Sequence, residues 1–326
     1  MKAIYRDRFG SPDVLELRDV DRPVLEDEGA LVRVHAASVN AFDWHMLTGK
    51  PYLARMSAGL RRPKSGLLGV DFAGTVEAVG KNADHVQPGD EVFGAGRSGA
   101  FAEYVYARRA VVRKPANVTF EEAAAVPIAA VTALQALRDK GRVQAGQSVL
   151  VNGASGGVGT FAVQIAKALG AEVTGVCRTR NVDLVRSLGA DEVIDYTRED
   201  FVVGPKRYDL MIDVAGNRSF AECKRVLLEQ GTYVMVGGPK TNRWVGSLGD
   251  SVIRRLRSIG GSRTVVAPFL AKIDREPLAT LAELLETGKV KPAIEREHDL
   301  SEVPDALRYI GEGHARAKVV ITVTRP

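Results

Sequence analysis

Cysteine is scarce in this sequence of 326 residues. Only Cys177 and Cys223 occur, which argues against a disulfide framework and against a four-cysteine zinc lobe. Long apolar runs are missing too, because no stretch approaches the ~18 apolar residues that would span a bilayer. The first residues also lack the apolar core of a signal peptide. We therefore expect a soluble protein of the cytoplasm.

A large excess of one charge is also absent. The chain has 45 lysines and arginines against 40 acidic residues, so its net charge is only +5. No basic stripe interleaved with aromatic residues and no nucleic-acid-binding motif occurs, which favours a mildly basic enzyme over a nucleic-acid-binding protein. The length is sufficient for two domains of ordinary size.

The pattern of apolar residues changes along the chain. The first ~120 residues contain short apolar runs broken by turn residues, as in "VQPGDEVFG", and predict a compact β-rich domain, such as a distorted barrel. Near Thr119 an alanine-rich helix is predicted, with Thr119 as its N-cap, Glu122 three residues later and a break at Pro127.

From Gln147 onward, predicted strands and helices alternate. Strands are predicted in "SVLVNG", "EVTGVC", "EVIDY", "YDLMIDVAG" and "TYVMVGG", and helices in "GVGTFAVQIAKALG", "NVDLVRSLG" and "SFAECKRVLLEQG". This alternation indicates an α/β fold with a doubly wound parallel sheet. The tail from about Val265 predicts one helix, "PLATLAELLETG", and a last strand, "AKVVITV".

A glycine-rich turn joins the first of these strands to its helix. Such a turn brings backbone N–H groups close to a pyrophosphate, and the helix N-terminus adds its positive dipole end. Gly156 allows close approach of the phosphates and Gly159 allows the helix to pack on the sheet, whereas Ala154 replaces the usual first glycine. The predicted cradle consists of Gly153, Ala154, Ser155, Gly156, Gly157, Val158 and Gly159.

The residues that follow the second strand indicate which cofactor is bound. NAD-binding proteins place an acid about 20 residues beyond the turn, to hold the ribose 2′-hydroxyl. Here the neighbourhood contains Arg178, Thr179, Arg180 and Asn181, and no carboxylate. Guanidinium groups bind a 2′-phosphate, so the sequence favours NADPH; the alternative is that both arginines are simply solvated.

The landmarks "SVNAFDWHMLTG", "LLGVDFAGTVEAVG", "VQPGDEVFG", "AVTALQAL", "NGASGGVG" and "LGADEVIDY" resemble the medium-chain dehydrogenase/reductase superfamily over essentially the whole chain. The chain is most similar to the zinc-free quinone oxidoreductase (zeta-crystallin-like) branch. The resemblance implies a GroES-like catalytic domain at 1–123, a Rossmann domain at 124–264, and a segment at 265–326 that returns to the catalytic domain. It also implies a homodimer and a substrate cleft between the domains.

Zinc-containing members of the superfamily hold their metal with side chains that this chain lacks. The resemblance places Asn40, Val70 and Ile128 at three ligand positions and Asp71 beside them, and this set cannot form a zinc site. The histidines are scattered rather than paired at ligand spacing: His35, His45, His85, His298 and His314.

Without a metal to stabilise an alkoxide, hydride transfer to an electron-poor acceptor is the easier reaction. We therefore expect an NADPH-dependent, zinc-independent reductase of a quinone or an α,β-unsaturated carbonyl. Two alternatives stay open, an enoyl-thioester (acyl-CoA or acyl-carrier-protein) reductase and a non-catalytic NADPH-binding sensor or partner protein. A zinc alcohol dehydrogenase is the least favoured.

The resemblance also implies roles for individual residues. Asn40 and Thr132 correspond to polar positions near the nicotinamide, where Asn40 would orient a carbonyl or carboxamide. Asp43 is interpreted as a turn cap. Tyr52 lies near a proton-donating tyrosine of enoyl reductases. The basic segment Leu53–Gly66 either rims the entrance and steers an anionic substrate or is a solvated loop.

Other residues are implied on the cofactor side. Tyr196 corresponds to a tyrosine that lines the adenosine phosphate pocket of relatives. Gly237 and Gly238 follow a strand at the end where ligands bind to open α/β sheets. Lys318 corresponds to a basic position near the cofactor, and the alternative is a surface lysine before an edge strand.

Overall fold

The computed structural model describes residues 1–52, 55–96, 99–237, 264–266, 268–313 and 315–324. The chain divides into two compact units, unit 1 from Met1–Val131 with Lys272–Pro326 and unit 2 from Thr132–Ala271. Among the described residues, no helix combines the length and the apolar character needed to cross a membrane.

The strands of the described chain are β1 (Lys2–Tyr5), β2 (Glu16–Asp19), β3 (Ala30–Val39), β4 (Asp71–Val79), β5 (Glu91–Ala95), β6 (Tyr104–Ala107), β7 (Val111–Arg113), β8 (Ser148–Asn152), β9 (Glu172–Cys177), β10 (Glu192–Asp195), β11 (Tyr208–Asp213), β12 (Leu227–Met235), β13 (Thr264–Val266), β14 (Ile294–Asp299) and β15 (Lys318–Thr322). The helices are α1 (Ala41–Thr48), α2 (Arg55–Ala58), α3 (Phe120–Ala124), α4 (Pro127–Leu134), α5 (Gly157–Ala168), α6 (Val182–Ser187), α7 (Phe220–Cys223), α8 (Arg275–Glu286) and α9 (Val303–Glu312). A π-helical segment, Gln135–Lys140, follows α4.

Unit 1 is built around the long strand β3. Nine of its ten residues are buried, and it pairs antiparallel with β4 on one side and with β15 on the other. The seven-stranded sheet has the order β14-β15-β3-β4-β5-β7, and β6 also pairs with β3. A β-rich first domain is therefore confirmed, and β15, from the end of the chain, lies inside its sheet rather than at an edge.

The predicted helix near Thr119 begins and ends as the sequence indicates. The Thr119 hydroxyl accepts a hydrogen bond from the Glu122 amide at 3.2 Å, and the Glu122 carboxylate accepts one from the Thr119 amide at 3.0 Å. These reciprocal bonds form a capping box. Helix α3 ends at Ala124 and α4 begins at Pro127, because proline is tolerated in a first helical turn but interrupts a helix interior.

Unit 2 contains the predicted doubly wound sheet. Its six strands are all parallel and lie in the order β10-β9-β8-β11-β12-β13. The order reverses direction between β8 and β11, which makes the carboxyl ends of these two strands the topological switch point where such sheets bind ligands.

One predicted helix of unit 2 is wrong in its second half. The segment "SFAECKRVLLEQG" was expected to be helical throughout, but α7 ends at Cys223 and a single 3-10 turn follows at Lys224–Val226. Residues from Leu227 onward form β12, and Leu227 pairs with Tyr208 of β11. Backbone pairing with β11 outweighs the helical propensity of these residues, which is a weak preference of a few tenths of a kcal/mol per residue.

Candidate functional site

The glycine-rich turn of unit 2 connects β8 to α5. Gly153 has φ +88°, in the left-handed region that favours glycine. A Cβ on Gly159 would lie 2.1 Å from the Gly153 carbonyl oxygen, so only glycine allows the helix to pass this close to the turn. A Cβ on Gly156 would meet only the Gly153 oxygen, at 3.5 Å, so its outer side faces open space. The turn therefore leaves room for a ligand at Gly156 and for close packing at Gly159.

The first turn of α5 presents backbone donors without helical partners. Gly156 is the N-cap, and its carbonyl accepts from the Thr160 amide at 2.9 Å. The amides of Gly157, Val158 and Gly159 precede that bond and have no partner within the helix. Three such donors at the positive end of a helix dipole form an anion site, as a pyrophosphate requires.

A second feature of the same turn fits a dinucleotide. The Asn181 side chain is 6% exposed and donates from Nδ2 to the Ser155 hydroxyl at 2.9 Å. Its Oδ1 atom is buried, and no described residue donates to it. A buried acceptor without a partner is costly, and a ligand hydroxyl would satisfy it. The residues present therefore fit a nicotinamide dinucleotide at this turn.

The residues after β9 lie where the sequence predicted a 2′-phosphate site. Arg178 and Arg180 are exposed, and no described carboxylate forms an ion pair with Arg178. Thr179, Arg180 and Asn181 form a 3-10 turn that leads into α6. Tyr196, 44% exposed, donates from its amide to the Cys177 carbonyl at 3.1 Å and so follows β10 at the same edge of the sheet.

A carboxylate also lies at the carboxyl ends of β9 and β10. The spacing counted from the glycine-rich turn did not reveal it, because that spacing leads only to the residues after β9. Asp195, the last residue of β10, pairs in register with Cys177, the last residue of β9. Its Oδ1 accepts from the Thr197 amide at 3.0 Å and from the Thr197 hydroxyl at 2.8 Å. The sequence signal would have been an acid at the end of the next parallel strand, in "LGADEVIDY".

The switch point holds a buried polar cluster that sequence reasoning missed. Asp213 is fully buried and accepts from the Asn152 amide group at 2.8 Å, the Tyr233 hydroxyl at 2.5 Å and the Gly216 amide at 2.9 Å. Asn152 also donates to the Asn217 side chain at 2.9 Å. The polar last residues of two apolar strands, β8 and β11, were the available signal.

In unit 1 a buried cluster joins Asn40, Asp71 and Lys318. The Lys318 ammonium donates to Asn40 Oδ1 at 2.5 Å and lies 3.9 Å from Asp71 Oδ2. Asn40 Nδ2 donates to Asp71 Oδ2 at 2.9 Å and to the Ser38 carbonyl at 3.4 Å. Lys318 is 3% exposed, so the alternative of a surface lysine before an edge strand is wrong.

Two further groups bond the Asp71 carboxylate. The Ile128 amide donates to Asp71 Oδ1 at 3.1 Å, and the Ser38 hydroxyl donates to Oδ2 at 3.1 Å. Burial raises the pKa of Asp71 to about 6, although Lys318 and the hydrogen bonds lower it. Burial also lowers the pKa of Lys318.

Asp43 belongs to the same region and acts as a cap. Its carboxylate accepts from the Asn40 amide at 2.8 Å, in a capping box at the start of α1, as the sequence indicated. Asp43 is 1% exposed, and burial, with the nearby charge of Asp71, raises its pKa to about 7.

The zinc-ligand positions do not fit a zinc ion. Asn40 is bonded at both ends of its amide, Val70 and the Ile128 side chain are apolar, and Asp71 faces the Lys318 ammonium. Among the residues that the structure describes, no group of three histidine, cysteine or acidic side chains could hold a metal ion.

The basic segment near Tyr52 is partly engaged in contacts within unit 1. The Arg55 guanidinium lies over the rings of Phe9 (4.7 Å to its centroid) and Tyr52 (4.9 Å), and its Nε donates to the Gly49 carbonyl at 3.0 Å. At least this arginine is held against its own unit rather than extended into solvent. Residues 53 and 54 lie outside the described residues.

The remaining predicted positions are placed as follows. Thr132 lies on α4 and is partly buried. Gly237 follows β12, donates to the Asp213 carbonyl at 3.1 Å, and would place a Cβ 2.0 Å from the Val214 oxygen. Gly238 and His314 lie outside the described residues.

Comparisons with known proteins cover nearly the whole chain. Residues 26–116 match the family model "Alcohol dehydrogenase GroES-like domain", and residues 188–321 match "Zinc-binding dehydrogenase". The mouse protein named NAD(P)H oxidoreductase RTN4IP1, mitochondrial, is 34% identical over 99% of this chain and 89% of its own length. The tomato 2-methylene-furan-3-one reductase is 34% identical over 98% of this chain and 79% of its own length.

A solved structure of a quinone oxidoreductase from Coxiella burnetii is also similar. It superposes with a TM-score of 0.86 at 32% identity and covers 99% of each chain. The similarity to each of these three proteins extends over both units rather than over one domain alone.

Proposed function

Because this chain belongs to the medium-chain dehydrogenase/reductase superfamily, in the branch of the quinone oxidoreductases, we propose that it is an NADPH-dependent reductase that transfers hydride to a quinone or an α,β-unsaturated carbonyl. The observation that carries the proposal is the turn between β8 and α5. It combines three helix amides without helical partners and the partnerless Oδ1 of Asn181, and a bound dinucleotide would satisfy both.

NADPH is proposed over NADH on the basis of Arg178 and Arg180. Both guanidinium groups are exposed beside the end of β9, and Arg178 has no ion-pair partner among the described residues. A 2′-phosphate would be bound there by charge-assisted hydrogen bonds, which are about twice as strong as neutral ones.

The substrate class is supported by chemistry and by the names of relatives. When bound, the cofactor supplies the hydride. Reduction of a quinone or an enone then leaves negative charge on a carbonyl oxygen, which hydrogen-bond donors stabilise. One similar protein is named as a quinone oxidoreductase, and another is named for a methylene-furanone, in which an alkene is conjugated to a ketone.

Asn40 and Tyr52 contribute differently in this proposal. The two hydrogens of Asn40 Nδ2 are directed to Asp71 and to the Ser38 carbonyl, so the amide is not free to donate to a developing oxyanion. We assign Asn40 the role of a positioning residue that fixes the start of α1, whereas Tyr52 stays a candidate proton donor on its resemblance to the tyrosine of enoyl reductases alone. A homodimer and a cytoplasmic location stay predictions.

The proposal is tested by mixing the protein with NADPH or NADH and an ortho-quinone, an enone or an enoyl thioester, and by following cofactor absorbance. We expect oxidation of NADPH with a quinone or an enone, and slower oxidation of NADH. Equal or faster turnover with NADH would contradict the NADPH assignment. Tight binding of NADPH without turnover on any acceptor would contradict the enzyme and favour the non-catalytic alternative.

A further inference from the structure

A buried aspartate and two exposed threonines meet where the second and third strands of the unit 2 sheet end. Asp195 is 8% exposed, whereas Thr179 and Thr197 lie at the surface. Because Asp195 pairs in register with Cys177, its carboxylate lies beside the strand end that leads directly into Arg178. In sheets of this type the adenosine ribose is recognised at this end of the second strand.

The hydrogen bonds fix where each hydroxyl proton points. Thr197 has one hydroxyl proton and donates it to Asp195 at 2.8 Å. The Thr179 and Thr197 oxygens lie 2.8 Å apart, and Thr197 has no second proton to give, so Thr179 is the donor of that bond. The Thr179 proton is therefore directed into the protein, and only its lone pairs remain for a ligand.

The assignment requires an ionised carboxylate, which accepts but does not donate. Although burial raises it, the Thr179 and Thr197 hydroxyl groups, the Thr197 amide and the charge of Arg198 together hold the pKa of Asp195 below its ordinary value. At neutral pH the Thr179 hydroxyl therefore donates to Thr197, and the Thr197 hydroxyl donates to the Asp195 carboxylate.

The two linked hydroxyl groups favour a ribose 2′-hydroxyl, whereas the two arginines favour a 2′-phosphate. A 2′-phosphate carries acceptors and negative charge, so it gains nothing from a hydroxyl that offers only lone pairs and is repelled by the Asp195 carboxylate. A ribose 2′-hydroxyl can donate to Thr179. Arg178 and Arg180 attract the phosphate at the same edge of the sheet.

We propose that Asp195, acting through Thr197 and Thr179, is a specificity-determining residue that limits the preference of this chain for NADPH over NADH. The inference rests on the proposed function, since it presupposes that the turn between β8 and α5 binds a nicotinamide dinucleotide. It predicts that NADH binds measurably, despite the two arginines.

The test compares dissociation constants for NADPH and NADH by isothermal titration calorimetry, a readout that does not depend on turnover. In Asp195→Asn an amide oxygen can still accept from the amide and hydroxyl of Thr197, but the charge is gone. The ratio of the NADH to the NADPH constant is expected to rise about three- to tenfold. In Thr179→Val the acceptor is lost, so NADH binding weakens by a similar factor and NADPH binding changes little.

Asp209→Asn is the matched control. The Asp209 carboxylate also accepts hydrogen bonds from the amide and the hydroxyl of Ser148, both at 2.9 Å. These residues lie at the amino ends of β11 and β8, whereas Asp195 lies at the carboxyl end of β10. In Asp209→Asn the ratio of the NADH to the NADPH dissociation constant is expected to stay at the wild-type value. A constant or falling ratio in Asp195→Asn, or an equal rise in Asp209→Asn, contradicts the inference.

The second variant tests the route through the threonines. A ratio that is unchanged in Thr179→Val contradicts that route, and this variant decides the question alone if Asp195→Asn does not fold. A wild-type protein that binds neither dinucleotide would contradict the proposed function instead.

Discussion

The polar groups of the two units are organised in opposite ways. In unit 1, Asn40, Asp71 and Lys318 are buried and bond one another, and both ends of the Asn40 amide are engaged. In unit 2, the first amides of α5 lack helical partners, and Asn181 Oδ1 is buried without a described donor. In the first arrangement each side chain has a partner within the protein, whereas the second leaves donors and an acceptor for a ligand.

This difference distinguishes polar groups that stabilise the fold from polar groups that bind a ligand. Removing one partner of a buried charge pair is expensive, so a closed cluster such as that of Asp71 and Lys318 resists change. A buried acceptor without a partner costs about 1–3 kcal/mol, which a protein recovers where a ligand supplies the donor. Residues of both kinds look equally polar in a sequence.

The largest expected effect comes from opening the closed cluster with Lys318→Met. The variant leaves the fully buried Asp71 carboxylate without its cation, so the free energy of unfolding should fall by roughly 3–5 kcal/mol in a urea titration at pH 7. Lys167→Met is the control, because Lys167 pairs with Asp191 at the surface and should lose less than about 1 kcal/mol. Equal losses in the two variants would contradict the contrast.

A smaller effect is expected from Gly159→Ala in the open site. The new Cβ would lie 2.1 Å from the Gly153 oxygen, so α5 must move away from the turn. We expect a loss of roughly 1–3 kcal/mol in unfolding free energy and weaker NADPH binding by calorimetry. Gly204→Ala, where a Cβ meets nothing within 4 Å, should change neither quantity. Unaltered NADPH binding in Gly159→Ala would place the dinucleotide elsewhere.

A third effect concerns the pH dependence of Asp43, which lies beside the closed cluster. Burial and the charge of Asp71 raise the pKa of Asp43 from 3.8 to about 7, so the folded state binds the extra proton between these values. The stability that this proton contributes is present at low pH and is lost as the pH rises towards 7. Asp43→Asn removes the titration, so the unfolding free energy at pH 5 minus that at pH 8 should shrink by up to about 2.7 kcal/mol, because each of the two pH units between 5 and 7 contributes about 1.4 kcal/mol. An unchanged difference would contradict the assignment.

Local patterns predicted local structure well. The alternation after Gln147 predicted the parallel sheet, the spacing of Thr119 and Glu122 predicted a capping box, and Gly159 predicted close packing of α5. Each of these features depends on residues that are neighbours in the sequence or one helical turn apart.

Features that depend on distant partners were not predictable in this way. Lys318 lies 278 residues from Asn40, and no spacing rule indicates that its ammonium is buried against that amide. Leu227 is in a strand because of Tyr208 on β11, and Asp195 matters because of Cys177 on β9. The topology of the sheets brings these partners together, and sequence periodicity does not predict that topology.

The position of β15 between β14 and β3 has a consequence for biosynthesis. Unit 2 is a continuous segment, whereas unit 1 needs residues from both ends of the chain. Domains fold as units while the ribosome extends the chain, so unit 2 can form before the sheet of unit 1 is closed. Until Lys318–Thr322 has been synthesised, the second half of β3, at residues 36–39, keeps an unpaired edge of the kind that promotes aggregation. The strands that leave the ribosome first thus complete their sheet last.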